Sequence, residues 1–362
     1  MQGLDGIVAA ETVLSDVDGA NGRLVIRGHP VEELARHATA ESAAHLLLSG
    51  FFNGGPAEPD AFASAIGKAR EEVFEHLSNI LEVIASLPPV EALRAGLALL
   101  PDGHDFPVAL RLLAAPAVLT PAIIRLRRGE APLAPAPDMS QSADMLRMLS
   151  GVEASDASCR ALDAYLATVS DHGLNASTFT ARVVASTQAG LGSAAIAALS
   201  ALKGPLHGGA PGPVLEMLKA IDAPHKAEPW LAGALARGER LMGFGHRIYK
   251  VRDPRADALK AAIEELSKAE ARTSRLALAE AVEDAALRIL KRKKPDRPLE
   301  TNVEFYTAVL LDALGFPADS FTCVFATGRM PGWIAHAREQ ELTGRLVRPQ
   351  SRYVGPATKQ AA

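Results

Sequence analysis

Three histidines of the chain stand in glycine-framed settings: Asp171-His172-Gly173, Pro205-Leu206-His207-Gly208-Gly209 and Gly243-Phe244-Gly245-His246. Glycine lets the backbone turn sharply beside them. An imidazole there can donate a hydrogen bond or pass a proton near neutral pH. A single histidine of this kind is more often a structural residue. Three among 10 histidines point to acid–base chemistry without a metal. The other seven, His29, His37, His45, His76, His104, His225 and His336, lack this framing and read as surface or core residues. Arginines form a second set: Arg255 in Asp253-Pro254-Arg255, Arg329 in Gly328-Arg329-Met330-Pro331-Gly332, and Arg348 in Arg348-Pro349-Gln350-Ser351. Each sits at a turn or helix edge, where a guanidinium fork can meet a carboxylate at two points. Taken singly, such an arginine is usually a surface ion pair. Beside acid–base histidines, three of them suit a di- or tricarboxylate substrate. The basic run Lys291–Lys294 reads as a solvated helix C-terminus, with phosphate binding as the alternative.

Other chemistries find no support. There is no GxxxxGK[ST] loop, no strand–GxGxxG–helix unit, no HExxH and no GxSxG elbow. Cys159 and Cys323 are far apart, which excludes a disulfide scaffold and a thiolate zinc site and fits a reducing, cytoplasmic setting. A net charge of −4, from 38 basic and 42 acidic residues, argues against a general nucleic-acid binder. The start MQGLDGIVAAETVL lacks the basic region of a signal peptide. Val183–Leu202 carries no charge, but its serines, glycines and alanines suit two buried helices meeting at Gly190-Leu191-Gly192 better than a membrane span.

The positioning elements are mainly helical. The 362 residues, 48% hydrophobic, allow about two domains with a sizeable core. Glu11–Val17 and Arg23–Arg27, around the turn Asp18–Gly22, predict a β-hairpin. Phe62, Ile66, Ala69, Val73, Leu77, Ile80 and Ile84 predict one long helix over Asp60–Leu87, stopped by Pro88-Pro89. Leu110–Leu126, Ala143–Leu149, Ala157–Val169, two stretches after Asp253, and Val303–Leu314 also read as helices, with a Pro/Ala-rich loop at Arg127–Asp138. Strands and helices do not alternate, so a parallel α/β sheet is not expected. The Gly/Pro cluster Gly204–Pro213 is the first candidate hinge, and Gly315-Phe316-Pro317 the second.

The chain resembles the citrate synthase family over nearly its whole length. The resemblance is carried, in order, by GLDGIVAAETVLSDVDG…GRLVIRG, DHGLNASTFTARVVAST, LKGPLHGGA, MGFGHRIYKVRDPRA, NVEFYTAVLLDALGFP, FATGRMPGWIAHAREQ and RPQSRYVGP. It implies a homodimer of two-domain helical subunits, with a large domain over residues 1–208 and 318–362 and a small domain over 209–317. It implies condensation of acetyl-CoA with oxaloacetate and hydrolysis to citrate and CoA, without metal or redox cofactor, nucleic acid or membrane. His207 then matches the histidine on the thioester carbonyl, His246 the one on the oxaloacetate carbonyl, and His172 a further oxaloacetate contact. Arg255 and Arg329 match carboxylate-binding arginines, and Arg348 one contributed across the dimer. Met242, Gly243, Phe244, Gly245 and Lys250 match the coenzyme A region. Glu304 of Asn302-Val303-Glu304-Phe305-Tyr306 stands where the family carries its aspartate base. Other departures are Pro211 in Gly208-Gly209-Ala210-Pro211 in place of GGAN, Val169 at the start of Val169-Ser170-Asp171-His172 in place of HADH, and Pro88-Pro89-Val90. The alternatives are a 2-methylcitrate synthase using propionyl-CoA and a non-catalytic paralogue that binds acyl-CoA or a carboxylate.

Overall fold

The computed structural model describes residues 4, 6–208, 211–270, 274–295 and 299–356. The expected domain boundary at residue 209 lies outside the described residues. β1 (Ser15–Asp18), β2 (Arg23–Ile26) and β3 (His29–Pro30) form an antiparallel sheet in chain order. Ser15 faces Ile26 and Val25 faces Pro30. Only the first two strands were expected. The third arises because Arg27 and Gly28 both adopt positive φ, 50° and 88°, and close a two-residue turn.

Helices follow: α1 (Val31–His37), α2 (Ala40–Leu48), α3 (Pro59–Leu77), α4 (Leu81–Ala85), α5 (Pro89–Ala98), α6 (Phe106–Arg127), α7 (Gln141–Ser150) and α8 (Asp156–Thr168). Then come α9 (Ala176–Ala185), α10 (Leu191–Leu202), α11 (Pro211–Ile221), α12 (Ala227–Ala236), α13 (Pro254–Glu270), α14 (Ser274–Lys293), α15 (Val303–Ala313) and α16 (Phe321–Thr343). The long helix predicted over Asp60–Leu87 is broken. A 3₁₀ turn at Ser78–Ile80 separates α3 from α4, and the Ser78 hydroxyl donates to the Glu75 carbonyl at 3.0 Å. The new direction carries Leu81 and Ile84 into the core, where α4 packs on α5 and α6.

α6 is the centre of the core, packed by α3, α5, α7 and α16. Among the described residues it is the one helix long and apolar enough to cross a membrane, and most of it is buried within the fold. The uncharged stretch Val183–Leu202 is the last turn of α9, a short connection through Gly190, and α10, the two helices expected there. α11 packs on α15, α12 on α14, and α13 on α15 while also reaching α1 and α8. Pro211 opens α11, a position where its missing N–H costs nothing.

Asp163 of α8 ties three elements, accepting from Ala40 N at 2.9 Å and the Ser142 hydroxyl at 2.6 Å. Burial raises its pKa to about 6, and the charge of Glu41 adds to this against the two hydrogen bonds and Arg160. The native state therefore favours the protonated acid, and this contribution to stability is lost as pH rises from about 4 through about 6. Asp163→Asn keeps a carbonyl acceptor without the charge. It should raise Tm at pH 8 by a few degrees and flatten the fall in stability between pH 4 and 7, as read by thermal unfolding across pH.

Candidate active site

A small backbone ladder sets the site. Phe244 pairs with Thr301 in an antiparallel bridge. Gly245 N donates to Glu300 O at 2.7 Å, Asn302 N to Gly243 O at 3.0 Å, and Asn302 Nδ2 to Gly245 O at 2.9 Å. His246 leaves one end of this ladder, and Glu304 leaves the other on the first turn of α15. Asp253, just before α13, joins them. Its buried carboxylate accepts from Val303 N at 3.2 Å, from Arg255 N and Nε at 3.0 Å each, and from Arg255 Nη2 at 2.7 Å. Asp253 was read in the sequence only as part of a turn. Its place before Pro254 at the helix start was the available signal.

His246, Arg255, Asn302 and Glu304 face a cleft of about 550 Å³ that also takes in His172, His207 and Arg329. His246 Nδ1 accepts from the amides of Ile248 and Tyr249 at 3.0 and 3.1 Å. A neutral imidazole has one lone-pair nitrogen, so the proton is on Nε2. Nε2 lies 3.4 Å from Arg255 Nη2, a second donor. Two donors converging without an acceptor between them suit a carbonyl or carboxylate oxygen. Burial, followed by the charge of Arg255, lowers the His246 pKa to about 4. Burial and the charges of Arg329 and Arg255 do the same for His207, also to about 4.

His207 Nε2 meets the Ser177 hydroxyl at 2.8 Å. That oxygen accepts from the Trp333 indole N–H at 3.1 Å and sits 2.7 Å from Asn175 Oδ1. Asn175 Oδ1 already caps α9 by accepting from Ser177 N and Thr178 N. The hydroxyl proton can go to Asn175 or to His207. Given to His207 Nε2, it leaves the imidazole proton on Nδ1. Ser177 and Trp333 were missed in the sequence, although Asn175 and Ser177 have the spacing of a helix cap followed by a polar first turn.

His172 is buried, its Nε2 3.0 Å from the Tyr249 hydroxyl. Burial and then the charges of Arg255 and Arg329 hold its pKa well below the usual range. Arg329 is almost fully buried. Its Nε donates to Val169 O at 2.5 Å, and its Nη2 has no hydrogen-bond partner. Burial, then Arg255 against the opposing charge of Asp171, brings its pKa down to about 10. Such an orphaned guanidinium nitrogen suits an anion. Val169 serves here through its carbonyl, and its side chain packs on Gly328. Next to His172, the Asp171 carboxylate receives the Ser15 hydroxyl at 2.5 Å and His336 Nε2 at 3.2 Å. His336 Nδ1 in turn faces Arg182 Nη1 at 2.8 Å. His336 is thus a core residue with a partner beside the site, which nothing near it in the sequence announced.

Glu304 Oε2 is buried and has no partner. Burial raises its pKa, against the attraction of Arg255 and with the repulsion of Asp253. Met242, Gly243, Phe244 and Gly245 line the same cleft, with apolar surface from Phe179, Leu206, Ile248 and Phe325 and from Leu4 and Ile7 near the N-terminus. A neighbouring hollow of about 470 Å³ shares Arg240, Gly245, His246 and Arg247 with the cleft and adds Lys294. Two expected residues stand apart from the cleft lining. Lys250 is exposed, its Nζ 3.3 Å from Arg247 O, and Arg348 is exposed in the tail after α16.

A cleft with three buried or half-buried imidazoles, two buried arginines and an unpartnered carboxylate, on this helical frame, fits an acyltransferase. The profile described as citrate synthase, C-terminal domain, matches residues 3–350, and the chain belongs to the citrate synthase family. Members of this family are enzymes that condense acetyl-CoA with oxaloacetate. The putative citrate synthase 2 of Mycobacterium tuberculosis is 40% identical over 365 residues, covering 99% of this chain and 93% of that one. The crystal structure of citrate synthase from Thermotoga maritima superposes with a TM-score of 0.85 at 33% identity, over 100% and 97% of the two chains. The ternary complex of carboxymethyl coenzyme A and oxaloacetate with citrate synthase from Thermoplasma acidophilum gives 0.86 at 28% identity, over 99% and 97%.

The imidazole states can be read directly. Long-range ¹H–¹⁵N spectra should show His207 and His246 neutral at pH 6, charging only near pH 4, with the His246 proton on Nε2. A midpoint near 6.5 for either ring would contradict the burial argument.

Proposed function

We propose that this chain condenses a short acyl-CoA with oxaloacetate in the cleft, with acetyl-CoA as the preferred donor, and hydrolyses the thioester product to citrate and CoA. The observation that carries the reading is Glu304 Oε2, a buried carboxylate oxygen without a partner in a cleft that also holds His207, His246, Arg255 and Arg329. Glu304 removes a proton from the carbon next to the thioester carbonyl. Its raised pKa makes it a stronger base than an exposed glutamate. His207, receiving the Ser177 proton on Nε2, donates from Nδ1 to the carbonyl oxygen as charge develops there. Oxaloacetate is held by Arg255, Arg329 and His172. His246 Nε2–H polarises its ketone, and the enol carbon attacks it. As the new carbon–carbon bond forms, the ketone oxygen takes a proton from His246. Water then cleaves the thioester: its oxygen bonds to the acyl carbon as the carbon–sulfur bond breaks, one of its protons goes to the CoA sulfur, and the proton taken by Glu304 is returned through solvent to His246.

The acyl part of coenzyme A lies along Met242–Gly245, and Arg240, Arg247 and Lys294 attract its phosphates. In this reading the active unit is a homodimer with a large domain over 1–208 and 318–362, a small domain over 209–317, and Arg348 reaching the partner's cleft. Support for the last point is that Arg348 is exposed and remote from its own cleft lining. Propionyl-CoA is a secondary donor, because one methylene in an apolar pocket discriminates by only about 1–3 kcal/mol.

Free thiol release with acetyl-, propionyl- and butyryl-CoA against oxaloacetate tests the reading, and no release above background with any of them overturns it. Glu304→Gln should lower kcat about a thousandfold with oxaloacetate binding retained. Glu304→Asp draws the carboxylate back by about 1.5 Å and should lower kcat about tenfold or more.

Asp253 supplies a pH test. Its negative charge raises the Glu304 pKa, and Arg255, which it restrains, lowers it. Asp253→Asn removes the first influence and frees the second, so both changes favour the ionised base. The acid limb of the kcat profile should move to lower pH. A limb that stays in place or moves up would separate that limb from Glu304.

A further inference from the structure

The tip of the β1–β2 hairpin is far in sequence from His246, yet it lies against the loop that carries it. Gly19 O accepts from Lys250 N at 2.9 Å. A Cβ placed on Gly19 would come within 2.4 Å of Ile248 O and 2.7 Å of Ile248 Cγ2. Gly22 has φ +64°, and a Cβ there would lie 2.8 Å from Val251 Cγ2 and 3.1 Å from Arg252 O. Neither position has room for a side chain, and Gly22 also needs a conformation that side chains disfavour. The turn is braced from within. Asp18 Oδ1 accepts from Ala20 N and Asn21 N at 3.1 Å each, and Oδ2 from Asn21 Nδ2 at 2.7 Å.

On the other side of the contact, Ile248 has a second task. Its carbonyl abuts Gly19, while its amide is one of the two that hold His246 Nδ1. The next amide, Tyr249, is the other, and the Tyr249 hydroxyl meets His172. Pushing the Ile248 peptide away from the hairpin therefore turns the groups that orient His246 and assign its proton to Nε2.

We infer that Gly19 and Gly22 are positioning residues for the condensation: the bare hairpin tip is a fixed stop for residues 248–252, and this contact holds His246 in its working orientation and tautomer. The kinetic part rests on the proposed role of His246 at the ketone. The structural part does not.

The test uses the full-length chain with Gly19→Ala, Gly22→Ala, Val251→Ala and the pair Gly22→Ala with Val251→Ala. Readouts are kcat, the KM values for oxaloacetate and acetyl-CoA, Tm, and the ¹⁵N signals of His246 without substrate. Gly19→Ala should lower kcat about 10- to 100-fold while the acetyl-CoA KM changes less than about twofold. Its His246 signals should move from a single Nε2–H form towards a tautomer mixture. Gly22→Ala should do the same in smaller measure. Val251→Ala alone should be close to the parent, and added to Gly22→Ala it should restore kcat about fivefold by removing the methyl that the new Cβ strikes. Backbone strain at Gly22 would not be relieved in this way, so the rescue isolates the contact. If Gly19→Ala fails to fold, the Gly22 and Val251 set decides alone. Parent-like His246 signals in the glycine variants, or no rescue by Val251→Ala, overturns the inference. A parent enzyme without turnover overturns the proposed function instead, and the His246 spectra still judge the hairpin contact.

Discussion

One buried carboxylate, Asp253, holds the centre together. It neutralises Arg255 through paired contacts at 3.0 and 2.7 Å and receives the first free amide of α15 at 3.2 Å. A guanidinium taken out of water without a partner is costly, and removing one member of such a pair typically destabilises by about 3–5 kcal/mol. Asp253 compensates Arg255 and, in the same contact set, fixes the start of the helix that carries Glu304. The Arg255 guanidinium and the Glu304 carboxylate are therefore located by one side chain. Glu283 repeats the device one layer out, joining Thr301, Tyr306 and Arg252 at 2.6, 2.5 and 2.8 Å.

Around that pair the cleft is short of negative charge. Arg329 keeps a nitrogen without a partner, and its pKa is brought down to about 10. The histidines respond by staying neutral, because burial beside two arginines makes a third and fourth positive charge unfavourable. Neutral imidazoles keep their N–H donors while leaving the arginines to attract anions. An anionic group placed between the two arginines would offset this excess of positive charge. The same positive field holds back what burial does to Glu304, whose pKa still ends above its ordinary value.

Much of this was legible in the chain. The glycine-framed histidines and the turn arginines led to a carboxylate-handling acid–base site, and the ordered motifs led to the family. The apolar helix expected over Val303–Leu314 is α15, and α13 begins just after Asp253, where the amphipathic pattern starts. What escaped was tertiary. Nothing in the composition of Ser78-Asn79-Ile80 announces that the chain must bend there, because the cause is the position of α5 and α6. The strand β3 is two residues long and depends on Arg27 taking a conformation rare for a side chain. Ser177 and His207 are 30 residues apart, and His336 and Asp171 are 165 apart. No local pattern can pair such residues. Val169 and Pro211, departures from the family pattern, turn out to serve through a backbone carbonyl and a helix start.

The Phe244–Thr301 bridge also bears on timing. His246 and Glu304 hang from opposite strands of one small ladder, close to its rung. Imidazole and carboxylate therefore travel as one body, while His207 and Arg329 belong to other elements. A displacement of this ladder relative to His207 and Arg329 carries both side chains with it. The centre is then either in register or out of it as a whole. The Glu304 carboxylate placed in the cleft with the His246 imidazole displaced from it is a state this linkage disfavours.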